Sequence, residues 1–264
     1  MNTEVLIGFI SAALALVGAI VSGLLASRAN RQAHELERRR RHDSQVEDAE
    51  RVLHQYRDPL LDAAQTLQSR IYNIVQQAYL IRYLRCGDPD EERYARDYTL
   101  FAVAEYLCWV EIVRRELRFL DLGDVARNRQ LLAHLTQTQL TLQTDRVQSP
   151  LQIFRGRQRA IAELMMLPTG ASEGPRSECL GYAAFSRRLH ADQEFASWFV
   201  RLNEDIDVIA GATDEQNIRL IQLQRDLIDL IDFLDPDSIR IPFSYRARIP
   251  EVDAAHQSAV AAGV

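Results

Sequence analysis

VLIGFISAALALVGAIVSGLLA, residues 5–26, holds 22 consecutive residues without a charge or a proline. At about 1.5 Å rise per residue such a helix spans roughly 33 Å, which matches a hydrocarbon core of about 30 Å. A signal peptide is the first rival, and it wants a basic start and a shorter apolar run. Here the start is Met1-Asn-Thr-Glu4, with no basic side chain. A buried core helix is the second rival, and nothing in that role requires the uncharged run to stop abruptly at Arg28. The stretch therefore predicts one transmembrane helix, with residues 1–4 as a short extracytoplasmic N-terminus.

The flanks orient it. Arg28, Arg31 and Arg38 to Arg41 follow the span, and only Glu4 precedes it. The positive-inside rule puts the C-terminal side in the cytoplasm, which makes this a single-pass protein of the cell membrane. Arg38, Arg39, Arg40 and Arg41 are candidates for binding anionic headgroups, each worth about 1 kcal/mol near the surface. Within the span, Ser11, Ala15, Ala19 and Gly23 recur every four residues. Small residues at that spacing let two helices pack closely in lipid, so the reading includes self-association as a homo-oligomer.

Outward from the membrane, residues 27–57 are polar, helix-prone and free of glycine and proline. Val46, Leu53 and Leu60 fit one heptad seam position, but the partner positions hold Arg39, Asp43, Glu50 and Arg57. That is half a coiled coil, and it predicts a solvated helical stalk. Asp58-Pro59, an N-cap residue before a proline, marks the expected start of a helical domain over residues 58–250, the alternative being a kink within one long helix.

Within that domain the apolar positions repeat at helical spacing. Leu60, Ala64, Leu67, Ile71, Ile74, Ala78 and Ile81 predict a helix to about Arg85, closed by Cys86-Gly87. Asp88-Pro89-Asp90-Glu91 opens the next, to about Leu120; Asp124 opens another, to about Thr144. Ser149-Pro150-Leu151-Gln152 reads as a capping box for a helix reaching Met166. Residues 168–178 form a loop, and short helices follow over Leu180–Leu189 and across the stripe Phe195, Trp198, Phe199, Leu202, Ile206 and Ile209. Thr213 to Gln216 caps a last helix ending near Asp235-Pro236. Ile239 to Pro250 reads as an extended tail over the bundle, and residues 251–264 as disordered. The expected architecture is thus all-α: a transmembrane helix, a polar stalk and a cytosolic bundle of six to seven helices.

Composition excludes some chemistry. All 31 basic residues are arginine, so no lysine is present for a Schiff base or a phosphate loop. Residues 1–42 carry six arginines against Glu4, Glu35 and Glu37, while the rest sets 25 arginines against 34 acids. An acidic body argues against nucleic acid as a partner, since that affinity rests on neutralising phosphates. Cys86, Cys108 and Cys179 are odd in number and far apart in sequence, neither a disulfide framework nor a zinc spacing, and read as reduced thiols.

Four groups remain as candidate sites. Glu105 and Glu111 lie in the apolar stretch Thr99–Val113, where a carboxylate is costly unless paired. Glu111 has Arg115 four residues on; Glu105 has no local partner. Arg155, Arg157 and Arg159 around Gly156 could hold an anion, although an ion-pair network with the domain's acids is the simpler reading. Asp226, Asp229, Asp232, Asp235 and Asp237 read as a solvated helix face, because Leu227, Ile228, Leu230, Ile231 and Leu234 form the buried one. The six histidines show no metal spacing, and neither a metal nor a cofactor is expected.

These readings converge on a non-enzymatic, membrane-tethered helical interaction module that self-associates and meets a protein partner at the membrane surface. The rival is a membrane-bound enzyme or small-ligand sensor, with Glu105 and an arginine such as Arg114 or Arg155 meeting in a polar pocket inside the bundle.

Overall fold

The computed structural model describes residues 55–119, 125–167 and 177–251, together with Glu37. The span 5–26 with its packing row Ser11, Ala15, Ala19 and Gly23, the arginines 38–41, and the tail 252–264 lie outside the described residues. Apart from Glu37, what is described falls in one compact unit, Arg51–Leu120 with Asp124–Val264. Among the described residues no helix is long and apolar enough to cross a membrane.

The architecture is mostly helical. Residues 55–77 form α1, and α2 is Tyr79–Tyr83. The long α3 runs Pro89–Phe119, followed by α4 at Val125–Gln143 and α5 at Arg155–Met165. A two-residue pairing of β1 (Met166–Leu167) with β2 (Glu178–Cys179) closes an antiparallel hairpin. Then come α6 (Tyr182–Ala191), α7 (Gln193–Ser197), α8 (Val200–Gly211) and α9 (Ile218–Leu234), and a 3-10 turn at Phe243–Tyr245. With 31 residues, α3 is about 46 Å long at 1.5 Å per residue. It packs along α5, while α4 lies along α9. Eleven of the 17 residues of α9 are buried, so it is surrounded rather than laid on a surface.

The expected stripes are largely where the core is: Leu60, Ala64, Leu67, Ile71 and Ile74 of α1 are buried, as are Phe195, Phe199, Leu202, Ile206 and Ile209. Six expectations are corrected. Residues 55–57 are helical, as the stalk reading has them, and the helix runs on through Asp58-Pro59, so Asp58 caps nothing and pairs with Arg240 instead. That helix also breaks before Arg85, at Ala78, which takes φ 51°. A left-handed alanine costs about 1–2 kcal/mol. The break sets the Tyr79 ring 4.4 Å from the buried Arg70 guanidinium and 4.7 Å from the Tyr83 ring. It also shifts the helical register, so Leu80 is buried and Ile81 is 63% exposed.

Ser149 starts no helix of its own: 151–154 are not helical, Leu151 has φ 65°, and α5 begins at Arg155. Ser149 Oγ instead meets the start of α9, donating to the Gln216 carbonyl at 2.7 Å and accepting from the Arg219 N–H at 3.3 Å. The cause is Arg219, which is 2% exposed and draws this loop onto α9. Its guanidinium donates to the carbonyls of Thr141 (2.7 Å), Val147 (2.9 Å), Pro150 (3.2 Å) and Ser149 (3.4 Å). The stripe through Trp198 is split between α7 and α8, leaving Trp198 exposed. This split and the break at Ala78 turn seven expected helices into nine described ones.

The fifth correction concerns the aspartates of α9. Asp226 and Asp235 are buried, and Asp229 and Asp232 are paired. The partner is the chain from Ile239 to Ile249, which crosses α9 and α1 as a strap. Asp235 accepts N–H bonds from Ile239 (3.0 Å), Arg240 (3.1 Å) and Ile241 (2.9 Å), and one from Arg246 Nη2 (2.8 Å). Burial acts to raise the Asp235 pKa, but the N–H donors of Ile241, Arg240 and Ile239 with the Arg246 charge overcome it and hold it below the usual range. Arg246 also bonds Asp232 at 2.9 Å, and Arg248 bridges Asp229 (2.6 Å) and Asp232 (3.0 Å). Gln224 exchanges bonds with Ala247 and Ile249, and Gln68 of α1 donates to the Tyr245 carbonyl. Glu251, expected in the disordered tail, pairs with Arg225 at 2.6 Å.

Candidate functional site

Helices α3 and α6 meet at Asp97 in a well-defined polar site. Asp88 starts α3 as expected: its Oδ1 accepts from Asp90 N at 2.9 Å, and Gly87 with φ 83° turns the chain into it. Two turns on, Asp97 is 3% exposed and faces α6. Ser186 Oγ donates to Asp97 Oδ2 at 2.7 Å, and His190 Nε2 meets the same oxygen at 2.8 Å. Ser186 and His190 are four apart on α6, which places both on one face. Phe185, just before Ser186, anchors α6 through edge contacts to Phe195 and Phe199.

Beside this trio lies a cavity of about 420 Å³ whose lining includes Arg93, Arg96, Leu100, His190, Phe199 and Asn203. Arg96 is held by Asp207 through paired bonds of 3.0 and 2.6 Å. With Nε2 turned to the carboxylate, His190 has Nδ1 left for a ligand, as proton acceptor or, once charged, as donor. The residue types are those of a hydrolytic triad, but the connectivity is not. Ser186 bonds the aspartate and not the imidazole, so His190 does not activate it. The geometry suits a histidine that binds or exchanges a proton with a small polar ligand.

The sequence-predicted residues are distributed differently. Glu111 is 5% exposed and bonds Arg115 at 3.0 Å and Arg159 at 3.4 Å. Arg115 reaches on to Glu163 at 2.6 Å, so Glu111 and Arg159 belong to an ion-pair network joining α3 to α5. Arg155 is exposed at the start of α5. Glu105 is half-buried on α3, and burial followed by the nearby Asp62 charge pushes its pKa up to about 7. The arginines expected to meet it are engaged elsewhere or exposed: Arg114 donates to Thr136 at 3.1 Å. No group of three or more metal-ligating side chains occurs among the described residues.

Sequence reasoning missed Asp97, Ser186 and His190. The i,i+4 spacing of Ser186 and His190 was visible, but their partner lies 89 and 93 residues away. The strap itself was expected, as the extended tail Ile239 to Pro250 over the bundle, but not that Ile239, Phe243 and Tyr245 on it are 77%, 78% and 63% exposed while their neighbours Ile241 and Arg246 are buried. No family model matches the chain, and no curated protein or solved structure matches it.

Proposed function

We propose that the chain is a membrane-anchored helical interaction module that self-associates through its anchor and presents its strap to a protein partner at the membrane surface. The observation that carries this reading is the strap: exposed apolar side chains stand on a backbone fixed from beneath by Asp235, Arg246, Gln224 and Gln68. Apolar side chains held on a fixed frame lose little entropy on binding, which is how interface anchors work. The anchor reading is supported by residues 5–26 and the arginines that follow them. Confinement to the membrane raises the effective concentration of two such modules and of any partner there.

The test is cross-linking in native membranes with identification of the adducts. The full chain, the residue 28–264 fragment and a Phe243→Ser/Tyr245→Ser double variant are compared. The same partner protein is expected on the first two and is lost from the third, while self-adducts form only with the full chain. Identical partner adducts on the double variant contradict recognition by the strap.

The cavity at His190 favours a second reading, a sensor of a small polar ligand. It predicts that His190→Ala abolishes ligand-induced stabilisation and leaves partner capture unchanged.

A further inference from the structure

Two of the three cysteines, 71 positions apart in sequence, are neighbours in the fold. Cys108 lies on α3, 0% exposed, one turn beyond Glu105. Cys179 is in β2, half-buried against the core. Its position is set by backbone pairing rather than by a loose loop. The hairpin register puts Met166 opposite Cys179, and Leu180 N donates to the Met165 carbonyl at 2.8 Å. Since β1 follows α5 without a break and α5 packs along α3, β2 is carried onto α3. There Cys179, packed against the core, lies beside Cys108, and its Sγ donates to the Leu180 carbonyl at 3.7 Å.

We propose that Cys108 and Cys179 form a reversible dithiol–disulfide pair, a modification site for peroxide. The two thiols play different parts. The neighbouring Cys179 thiol and burial both push the Cys108 pKa far up, so it remains protonated at rest. Cys179 is the one with access to solvent, so it is the thiol that meets the oxidant. Its thiolate attacks one peroxide oxygen: an S–O bond forms, the O–O bond breaks, and the departing hydroxide takes up the thiol proton as water. Cys108 then attacks the sulfenic sulfur. The S–S bond forms, the S–O bond breaks, and the second hydroxide leaves as water with the Cys108 proton. Two thiols and one hydrogen peroxide give one disulfide and two waters. The half-buried Glu105 carboxyl, one turn away on α3 and titrating near 7, is the nearby group suited to relay that last proton. The bridge would tie the hairpin, and with it the start of α6, to α3.

The full chain in detergent is the sample, with wild-type side chains, so no variant has to fold. It is reduced, exposed to hydrogen peroxide at equimolar concentration, denatured, alkylated with a maleimide and mapped by mass spectrometry. Cys86, which is exposed, is the internal reference. The pair predicts a mass lower by two hydrogens, a Cys108–Cys179 linked peptide and alkylation at Cys86 alone, all reversed by dithiothreitol. Alkylation at all three cysteines, a bridge that includes Cys86, or sulfinic acid at Cys179 without a linked peptide would overturn it.

Discussion

The two ends of α9 hold opposite buried charges, and each has the sign that its helix disfavours. Arg219 stands at the N-terminus, where the helix dipole is positive, and Asp235 at the C-terminus, where it is negative. Both are held by the neighbouring chain rather than by the helix. Arg219 donates to the Thr141 carbonyl of α4 and to three carbonyls of the α4–α5 connection, and Asp235 accepts from three strap N–H groups and from Arg246. The difference lies in compensation. Asp235 has a full counter-charge in Arg246 at 2.8 Å, whereas Arg219 has only carbonyl dipoles in direct contact, with the Asp205 charge acting from further off. Accordingly burial lowers the Arg219 pKa despite Asp205, while Asp235 also shifts down, toward its charged form. A buried charge in this protein organises a loop, and its stability depends on how many donors or acceptors that loop supplies.

The largest effect should come from Asp235→Ala. It leaves the Arg246 guanidinium, 2% exposed, without its buried partner, and denaturant unfolding should show a loss of about 3–5 kcal/mol. The wild-type contribution has a defined pH window. Because the folded pKa of Asp235 is depressed, that stability is fully present above its ordinary unfolded value and lost as pH falls through the folded one. An Asp235→Asn protein should therefore lack this part of the acid transition.

Arg219→Met should cost less, about 2–3 kcal/mol, because it unmakes bonds to carbonyls that water can partly reach once the loop lifts. Proteolysis near Val147–Pro150 should rise with it, and an unchanged cleavage rate would detach Arg219 from the loop. Glu105 sharpens the comparison from the other side, as a carboxylate with burial but without the donors of Asp235. Its folded pKa of about 7 is above the unfolded one, so its favourable contribution holds below the unfolded pKa and disappears as pH rises through about 7. Glu105→Gln should leave stability unchanged near pH 4 and raise it at pH 8 by about 1–2 kcal/mol, allowing for solvent screening. Thermal melts at the two pH values decide it. The smallest effect belongs to Phe243→Ser, which touches the exposed face of the strap and should move stability by less than about 0.5 kcal/mol.

The same contrast explains what could be read from the sequence. Helix existence was legible because each stripe is a local pattern: Leu60, Leu67 and Ile71 repeat within α1, and Asp88-Pro89 announces α3 within a few residues. Where a distant partner intervened, local rules failed. Arg219 acts across 69 to 78 residues on the Ser149 connection, and a capping box with the right letters became a loop. Asp226 and Asp235 look solvated on a helical wheel, since the wheel contains neither Thr141 nor the strap that covers them. The Glu111–Arg115 pair was legible at four-residue spacing, whereas its link to Arg159 was not. Asp97 with His190, and Cys108 with Cys179, are long-range pairs that no spacing rule could join.

The measurement that most directly tests a tethered module is labelling of the exposed Cys86 by a membrane-impermeant maleimide, on carbonate-washed membranes of both orientations. The account predicts that the full chain stays with the pellet, that Cys86 is protected in intact cells and that it labels in inside-out vesicles. Release of the protein by carbonate, or labelling of Cys86 from outside intact cells, would contradict it.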